Sequence, residues 1–597
     1  MNTPLVLAVI SAYLLLLVGL GLLFRKLNRD GSDYFRSGCR ASWWLVGSSI
    51  FMAGVSAKTF TGNAGVAYES GLTIMVHYVG SAGAAIMQAL LLAHLFRQTR
   101  AMTFAEIVRD RFGVATQQFY AFLTILLNLL IAGVWLWGLA IFVGAVFDLN
   151  PRLMIVLLGC VVLFYSVAGG TWAVMATDFV QGVLMVVMTA LLAGLCLVAV
   201  GGVDGLLDKI NQAGLDRAYT FVKAAPDPDR ADPYQYTLPW IIASLTFVFF
   251  MNASLTTAPR FFAVKTGRQA RGAALMAAVL GLSTVALFFI PPMTARVLFA
   301  ERVAEMPLSK PAEAAFAVAS MELLPPTLLG LMVVAMFAAT MSSMDTGLNR
   351  NAAFVVRDIV PAIARRMGKT APTGRAELRL GQAFTLGFGA AVVALALIYQ
   401  QMDGLGMFEL GLHIGAMLAL PLGVPLVMGI IIRTTPPWSA MISAIFALLP
   451  NAWAFGGWIG GGGPVPYHWK VAMAMTLGVS SFLLTTLWWP RTKPADRERI
   501  NAFFKRMKTP IDFEREVGEA NDGLQLRVLG MALMVVAGFV AALVVAPQSL
   551  ADRGAVLLVA TALLAVGTPM WLVGRRRSAR GHAAAPENPP SRPTEHR

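Results

Sequence analysis

Apolar residues run for about twenty positions at a time along most of this chain, separated by short polar stretches. A helix needs about 20 such residues to cross a bilayer. A window of that length predicts fifteen spans, at 4–24, 43–70, 72–96, 115–147, 153–169, 173–200, 238–256, 273–295, 327–348, 380–399, 408–432, 438–456, 469–489, 525–545 and 554–573. The pattern therefore predicts an all-α polytopic membrane protein. The strict alternation of a membrane β-barrel is missing. Two spans carry features that break a helix. Span 43–70 holds Gly47, Gly54, Gly62 and Gly65 among Ser48, Ser49, Ser56, Thr59 and Thr61. Span 238–256 ends in Asn252, Ser254, Thr256 and Thr257 before Pro259. Unwound backbone at membrane depth needs a cavity or protein around it. A pair of interrupted helices at matching places in two halves points to a transporter site. The two lie five helices apart, as an inverted five-plus-five repeat requires.

Composition agrees. Of 597 residues, 57% are hydrophobic and 13% charged, against about 25% charged in soluble domains. That excludes an ordinary cytosolic enzyme and a disordered chain. A net charge of +15 would suggest nucleic acid in a soluble protein. Here it follows topology. With the N-terminus outside, 36 of the 47 Lys and Arg residues fall on inner segments and 10 on outer ones, leaving Lys58 within the membrane. This is a positive-inside pattern. It predicts a cytoplasmic C-terminus and an integral plasma (inner) membrane protein. The first span has its charges, Arg25 and Lys26, after its apolar core, unlike a signal peptide, and is expected to be a retained helix. Cys39, Cys160 and Cys196 form no metal or redox spacing.

Beyond the spans, the chain predicts an outer loop at 201–237 with a short amphipathic stretch. A surface helix is expected around Arg497–Lys508, and a disordered cytoplasmic tail at 578–597. Intramembrane ionisable residues are expensive and mark function by default. Those noted are Lys58, Asp178, Asp345, His77 and His413.

The run DYFRSGCRASWWLVGSSIFMAGVSAKTFTGNAGVAYESG (33–71) resembles the sodium/solute symporter family, which includes sodium–glucose, proline and sialic acid cotransporters. TFAEIVRDRFG (103–113), GGTWAVMATDFVQGVLM (169–185), PRFFAVKTGRQARGA (259–273), MELLPP (321–326) and AATMSSMDTGLNRNAAFVVRDI (338–359) follow in order. The resemblance covers about residues 1–490. It implies a leucine-transporter-type core, with repeats at 43–200 and 238–432. Residues 1–42 are then an additional N-terminal helix and inner loop, and 433–577 are peripheral helices. It also implies alternating access, driven by sodium as coupling ion, with no other cofactor and no enzymatic activity. By this resemblance the cation is held by the carbonyls of Met52 and Val55 together with Ala339, Ser342 and Ser343. Asp178 matches a family aspartate near the inner cation route.

Two departures stand out. The family commonly has an acidic residue or Gln where Lys58 stands, and a small or hydroxylated one at Asp345. The two are expected to face each other as a charge pair. In one reading the pair is structural and sodium binds beside it. In the other the Lys58 ammonium takes the cation's place, giving a proton-coupled or cation-independent transporter or sensor. Thr59, His77, Tyr78, Ser81, Asn252, Ser254 and His413 are the candidate substrate-lining residues, with Trp135 and Trp137 as possible walls. A typical sugar-binding constellation is missing. The partners expected are a small organic solute, sodium and the bilayer, with no nucleic acid. A proton-pumping redox subunit would repeat buried Lys, Glu or His along its spans, which this chain does not.

Overall fold

The computed structural model describes residues 3–25, 39–166, 171–227, 232–370, 372–402, 406–459, 465–518 and 522–583. Among them the structure is helical and forms no sheet. The first part contains α1 (Thr3–Arg25), α2 (Trp43–Ala53), α3 (Ala57–Phe60), α4 (Gly62–Ser70), α5 (Met75–Met87), α6 (Phe104–Phe112), α7 (Val114–Phe147), α8 (Pro151–Ser166) and α9 (Thr171–Val200). The second contains α10 (Leu238–Ala253), α11 (Pro259–Phe262), α12 (Gly267–Leu298), α13 (Pro326–Phe354), α14 (Arg375–Tyr399), α15 (Met407–Ile414) and α16 (Leu420–Ile431). Last come α17 (Ser439–Ile459), α18 (Tyr467–Leu484), α19 (Pro494–Lys508), α20 (Asp522–Ala542) and α21 (Leu550–Ala583).

Ten helices among the described residues are long and apolar enough to cross a membrane. Five of the other predicted spans appear as shorter apolar helices of 10–17 residues, among them Trp43–Ala53 and Leu238–Ala253. Helix length thus supports ten crossings, and the expected count of fifteen does not follow from it. The break after α4 is at Gly71, whose φ of +60° favours glycine. A Cβ there would also lie 2.7 Å from the Tyr219 ring.

The middle of the bundle is α13, which is fully enclosed over Pro326–Met344. Ala335, Ala338, Ala339, Thr340, Ser342 and Ser343 give it a small-residue surface. Without a hydrophobic drive between helices in lipid, such residues let neighbours approach closely. Helices α1, α7, α9 and α14 pack on it. Helix α2 packs on α12 and α9, and α5 packs on α10 and α12. The pairs α17–α18 and α20–α21 lie at the periphery. Two π-turns, Val355–Ile359 and Gly415–Ala419, come just before Pro361 and Pro421. A proline clashes with the carbonyl four residues back and donates no N–H, and a π-turn absorbs that mismatch.

The expected surface helix is α19, and the amphipathic stretch of the 201–237 loop is a helix at Gly202–Gln212. The predicted disordered tail is partly corrected. Helix α21 continues through 578–583, where Ala and Arg favour helix, and 584–597 lie outside the described residues. Cys160 is exposed and Cys196 buried, and neither forms a disulfide.

Candidate functional site

Both predicted interruptions are present. Helix α2 stops at Ala53, the backbone turns through Gly54–Ser56, and α3 restarts at Ala57. Ser56 and Thr59 form a capping box at the restart, satisfying donors that a helix start leaves orphaned. The Ala57 N–H has no partner within its own helix and instead donates to Thr340 Oγ1 at 2.8 Å. This bond ties the break to the middle of α13. The second interruption follows Ala253. Ser254 is extended, a short 3-10 turn covers Leu255–Thr257, and α11 begins at Pro259. Gln88 donates to Asn252 O and to Thr257 Oγ1, both at 2.8 Å, and so fastens this break to the chain that follows α5.

A polar knot lies beside the first break. Asp178, two turns into α9, is fully buried. It accepts from Ser49 Oγ at 2.7 Å and from the Ser342 hydroxyl. Arg260 of α11 donates to its Oδ2 at 3.3 Å and to the Ser49 carbonyl at 2.8 Å. Ser343 donates to Ala339 O at 3.3 Å. Met52, Val55, Ala339, Ser342 and Ser343 are all buried. The Met52 carbonyl accepts from Val55 N at 3.1 Å in the turn, and the Met52 side chain packs on Gly182 of α9. The residues assigned to the cation by resemblance therefore gather around the α2–α3 break and α13, with Asp178 among them. Arg260 and Ser49 join them without having been singled out as site residues.

Lys58 goes the other way. From α3 its half-buried side chain reaches α15, where a Cβ on Gly411 would lie 2.7 Å from Nζ. The ammonium lies 5.6 Å from the Phe408 ring centroid. Glu409 is the described carboxylate that acts on it electrostatically. The Asp345 side chain lies outside the described residues. Its backbone stands five residues beyond Thr340, roughly 7.5 Å along the helix. That direction runs toward Ser342 and the α2 side of the break, whereas Lys58 leads toward α4. The geometry thus turns the Lys58 ammonium toward α15 rather than toward the Ser342–Ser343 pair.

Around Lys58 stand the His77 ring, 5.1 Å from Phe408, and Trp240. Asn63 donates to the Tyr78 hydroxyl at 3.1 Å, and Thr59 is within that hydroxyl's reach. Ser81 donates to His77 O at 2.8 Å and accepts from Asn252 at 3.3 Å. Lys58, Asn63, His77, Tyr78, Ser81 and Asn252 are all only partly buried. Two candidates stand apart from this group. Ser254 packs against Gly423 of α16. His413 shares a face of α15 with Glu409, and its charged neighbours are Lys470, Asp232 and Glu409. Trp137 is buried and Trp135 partly so.

Glu409 was legible but missed, since it lies inside the predicted span 408–432. Its Oε1 pairs with Lys310 at 3.0 Å and accepts from Gln235 at 3.4 Å. Beside it, Glu313 Oε1 accepts the Met407 N–H at 2.6 Å, capping the start of α15 as a carboxylate does at a helix N-terminus. Burial is the main cause that pushes the Glu313 carboxyl up to about 8, with Glu409 and Glu69 adding to it and the Met407 N–H and Lys310 opposing it. The folded protein then holds a proton that the unfolded chain releases above the ordinary carboxylate range. Its contribution to stability should fall as pH rises from about 4.5 to about 8 and stay flat above that. Glu313→Gln keeps the acceptor for Met407 and should flatten this part of the melting-temperature profile between about pH 5 and about pH 9.

A sodium:solute symporter family model matches residues 34–446. A pig (Sus scrofa) sodium/myo-inositol cotransporter 2 is 28% identical over 472 residues, covering 75% of this chain and 69% of the relative. A rat (Rattus norvegicus) sodium/glucose cotransporter 2 is 27% identical over 486 residues, covering 75% and 71%. Among solved structures, a Na+-coupled sialic acid symporter has a TM-score of 0.66 at 20% identity, covering 82% of this chain and 98% of its own. A nucleobase–cation-symport-1 family transporter has a TM-score of 0.51 at 14% identity, covering 80% and 99%. The architecture is therefore that of a secondary transporter with a leucine-transporter-like fold. The chain belongs to the sodium:solute symporter family. It is an integral membrane protein that couples solute movement to sodium, and it is not an enzyme.

Proposed function

We propose that sodium binds where the α2–α3 break meets α13, and that the solute binds on the other side of that break, toward α15. The carbonyls of Met52 and Val55 and the oxygens of Ala339, Ser342 and Ser343 are the cation ligands, and Asp178 supplies the negative charge. Carbonyls at an interrupted helix suit a hard cation at low charge cost, and the Met52 carbonyl keeps a second lone pair beside its bond from Val55 N. The observation that carries this reading is the convergence of Ser49, Ser342 and Asp178 beside the break that Thr340 anchors. Arg260 already shares Asp178, so sodium competes with a tethered cation there, and exchange between the two links ion binding to α11.

The solute is a small polar organic molecule held among Lys58, Thr59, His77, Tyr78, Ser81 and Asn252. Alternating access moves repeat 43–200 against repeat 238–432. The N-terminus faces outside and the C-terminus the cytoplasm, in the plasma membrane, as the 36-to-10 basic asymmetry supports. Ligand linkage makes the ion site testable. Sodium chloride should raise the melting temperature of the purified wild type above that in choline chloride. Ser343→Ala should lose most of that gain while melting normally in choline. An equal sodium response in both proteins would remove the hydroxyl from the site.

A further inference from the structure

We propose that the solute is a small organic carboxylate, and that the Lys58 ammonium receives its carboxyl group; this rests on the symport reading. The charges around Lys58 do not cancel within the protein. The described ionisable groups near it are Glu409 and His77, with Lys310 and Glu313 behind Glu409. Glu409 is taken by Lys310 at 3.0 Å and Gln235 at 3.4 Å. Glu313 spends its Oε1 on the Met407 N–H, and burial favours its neutral form. Among the described residues, Lys58 makes no ion pair within 4 Å, and its closest approaches are to an aromatic face and a glycine. A half-buried cation left in this state gains from a partner of opposite charge.

The surroundings suit a carboxylate in particular. Both ring nitrogens of His77 are buried without a hydrogen-bond partner among the described residues, and so is Oδ1 of Asn63, an acceptor that fits a hydroxyl or N–H on the solute body rather than its carboxyl group. A carboxylate has two oxygens, one for the ammonium and one for an imidazole N–H. A single lysine matches one negative charge, whereas a phosphate dianion would call for a second cation. Phe408 and Trp240 give the organic body an aromatic wall. Gly411 completes the seat, because a Cβ there would crowd Nζ at 2.7 Å.

Matched pairs that differ only in the acid group test this: glucuronate against glucose, gluconate against sorbitol, and lactate against propane-1,2-diol. Myo-inositol serves as a further neutral probe. Each is added to the purified full chain with and without sodium, and the melting temperature is followed. At least one carboxylate should stabilise the protein in sodium about tenfold more potently than its neutral partner. Lys58→Gln should erase that preference while keeping the stabilisation by sodium alone, and Lys58→Arg should restore part of it. The proposal is overturned if a neutral member binds as well as its acid or better, if no carboxylate binds, or if Lys58→Gln leaves acid affinity unchanged. A neutral solute that binds in a sodium-dependent way would overturn the carboxylate and leave the symport reading intact. Loss of every sodium effect would instead count against the cation site.

Discussion

Asp178→Asn should lower both sodium affinity and thermal stability, more than any other single change at the polar knot. The carboxylate is fully buried and takes hydrogen bonds from Ser49, Ser342 and Arg260. An asparagine offers one acceptor oxygen and no charge. Arg260, only 17% exposed, then keeps its charge without its partner. Breaking a buried pair from one side costs about 3–5 kcal/mol. Sodium meanwhile loses a charged neighbour. Charge-assisted contacts are worth about 1.5–3 kcal/mol, so apparent sodium affinity should fall by about tenfold to about 100-fold. The double variant Asp178→Asn with Arg260→Gln separates the two effects. It should recover much of the melting temperature, because no charge is left unpaired, but not the sodium response. Recovery of both would assign Asp178 a purely structural role.

Arg111→Lys should destabilise the protein strongly, although it conserves charge. Arg111, in α6, is fully buried. It donates to Gly429 O and Ile432 O, both at 2.9 Å, and to Thr435 Oγ1 at 2.6 Å. Its guanidinium also lies over the Phe112 and Phe504 rings. It thereby satisfies carbonyls that α16 leaves orphaned at its C-terminal end. A lysine has three donors on a point charge and cannot reproduce this fork or the stacking. Leaving even one or two buried acceptors unpaired costs about 1–3 kcal/mol each. Thermal unfolding of the purified variant should show a drop of that size. Because α16 continues from α15, solute affinity should weaken as well. A melting temperature equal to the wild type would mean that the fork contributes little.

Apolar periodicity and turn residues made the helices legible, including α19 and the amphipathic helix in the long loop. The break after Ala53 could be read because glycine and hydroxyl residues cluster there. Pairings between distant segments were harder to read. Nothing local links Arg260 to Asp178, or Glu313 to Met407, since each contact depends on how the helices pack. The expectation that Lys58 meets Asp345 arose from two unusual charges near one motif. The packing sends Lys58 toward Phe408 and Gly411, and the Asp345 side chain lies outside the described residues. Glu409 was overlooked because it stands at the start of its span, where carboxylates at a helix N-terminus are unremarkable. The π-turns before Pro361 and Pro421 were marked by those prolines, but whether the chain kinks, breaks or bulges there depends on its neighbours.

The central claim is that a sodium gradient drives solute entry through this site. Proteoliposomes holding the full chain test it most directly. Uptake of a labelled solute that stabilises the protein is followed with an inward sodium gradient, or with an inward proton gradient and no sodium. Accumulation under the sodium gradient alone, lost in Asp178→Asn, is the expected result. Accumulation under the proton gradient without sodium would contradict it.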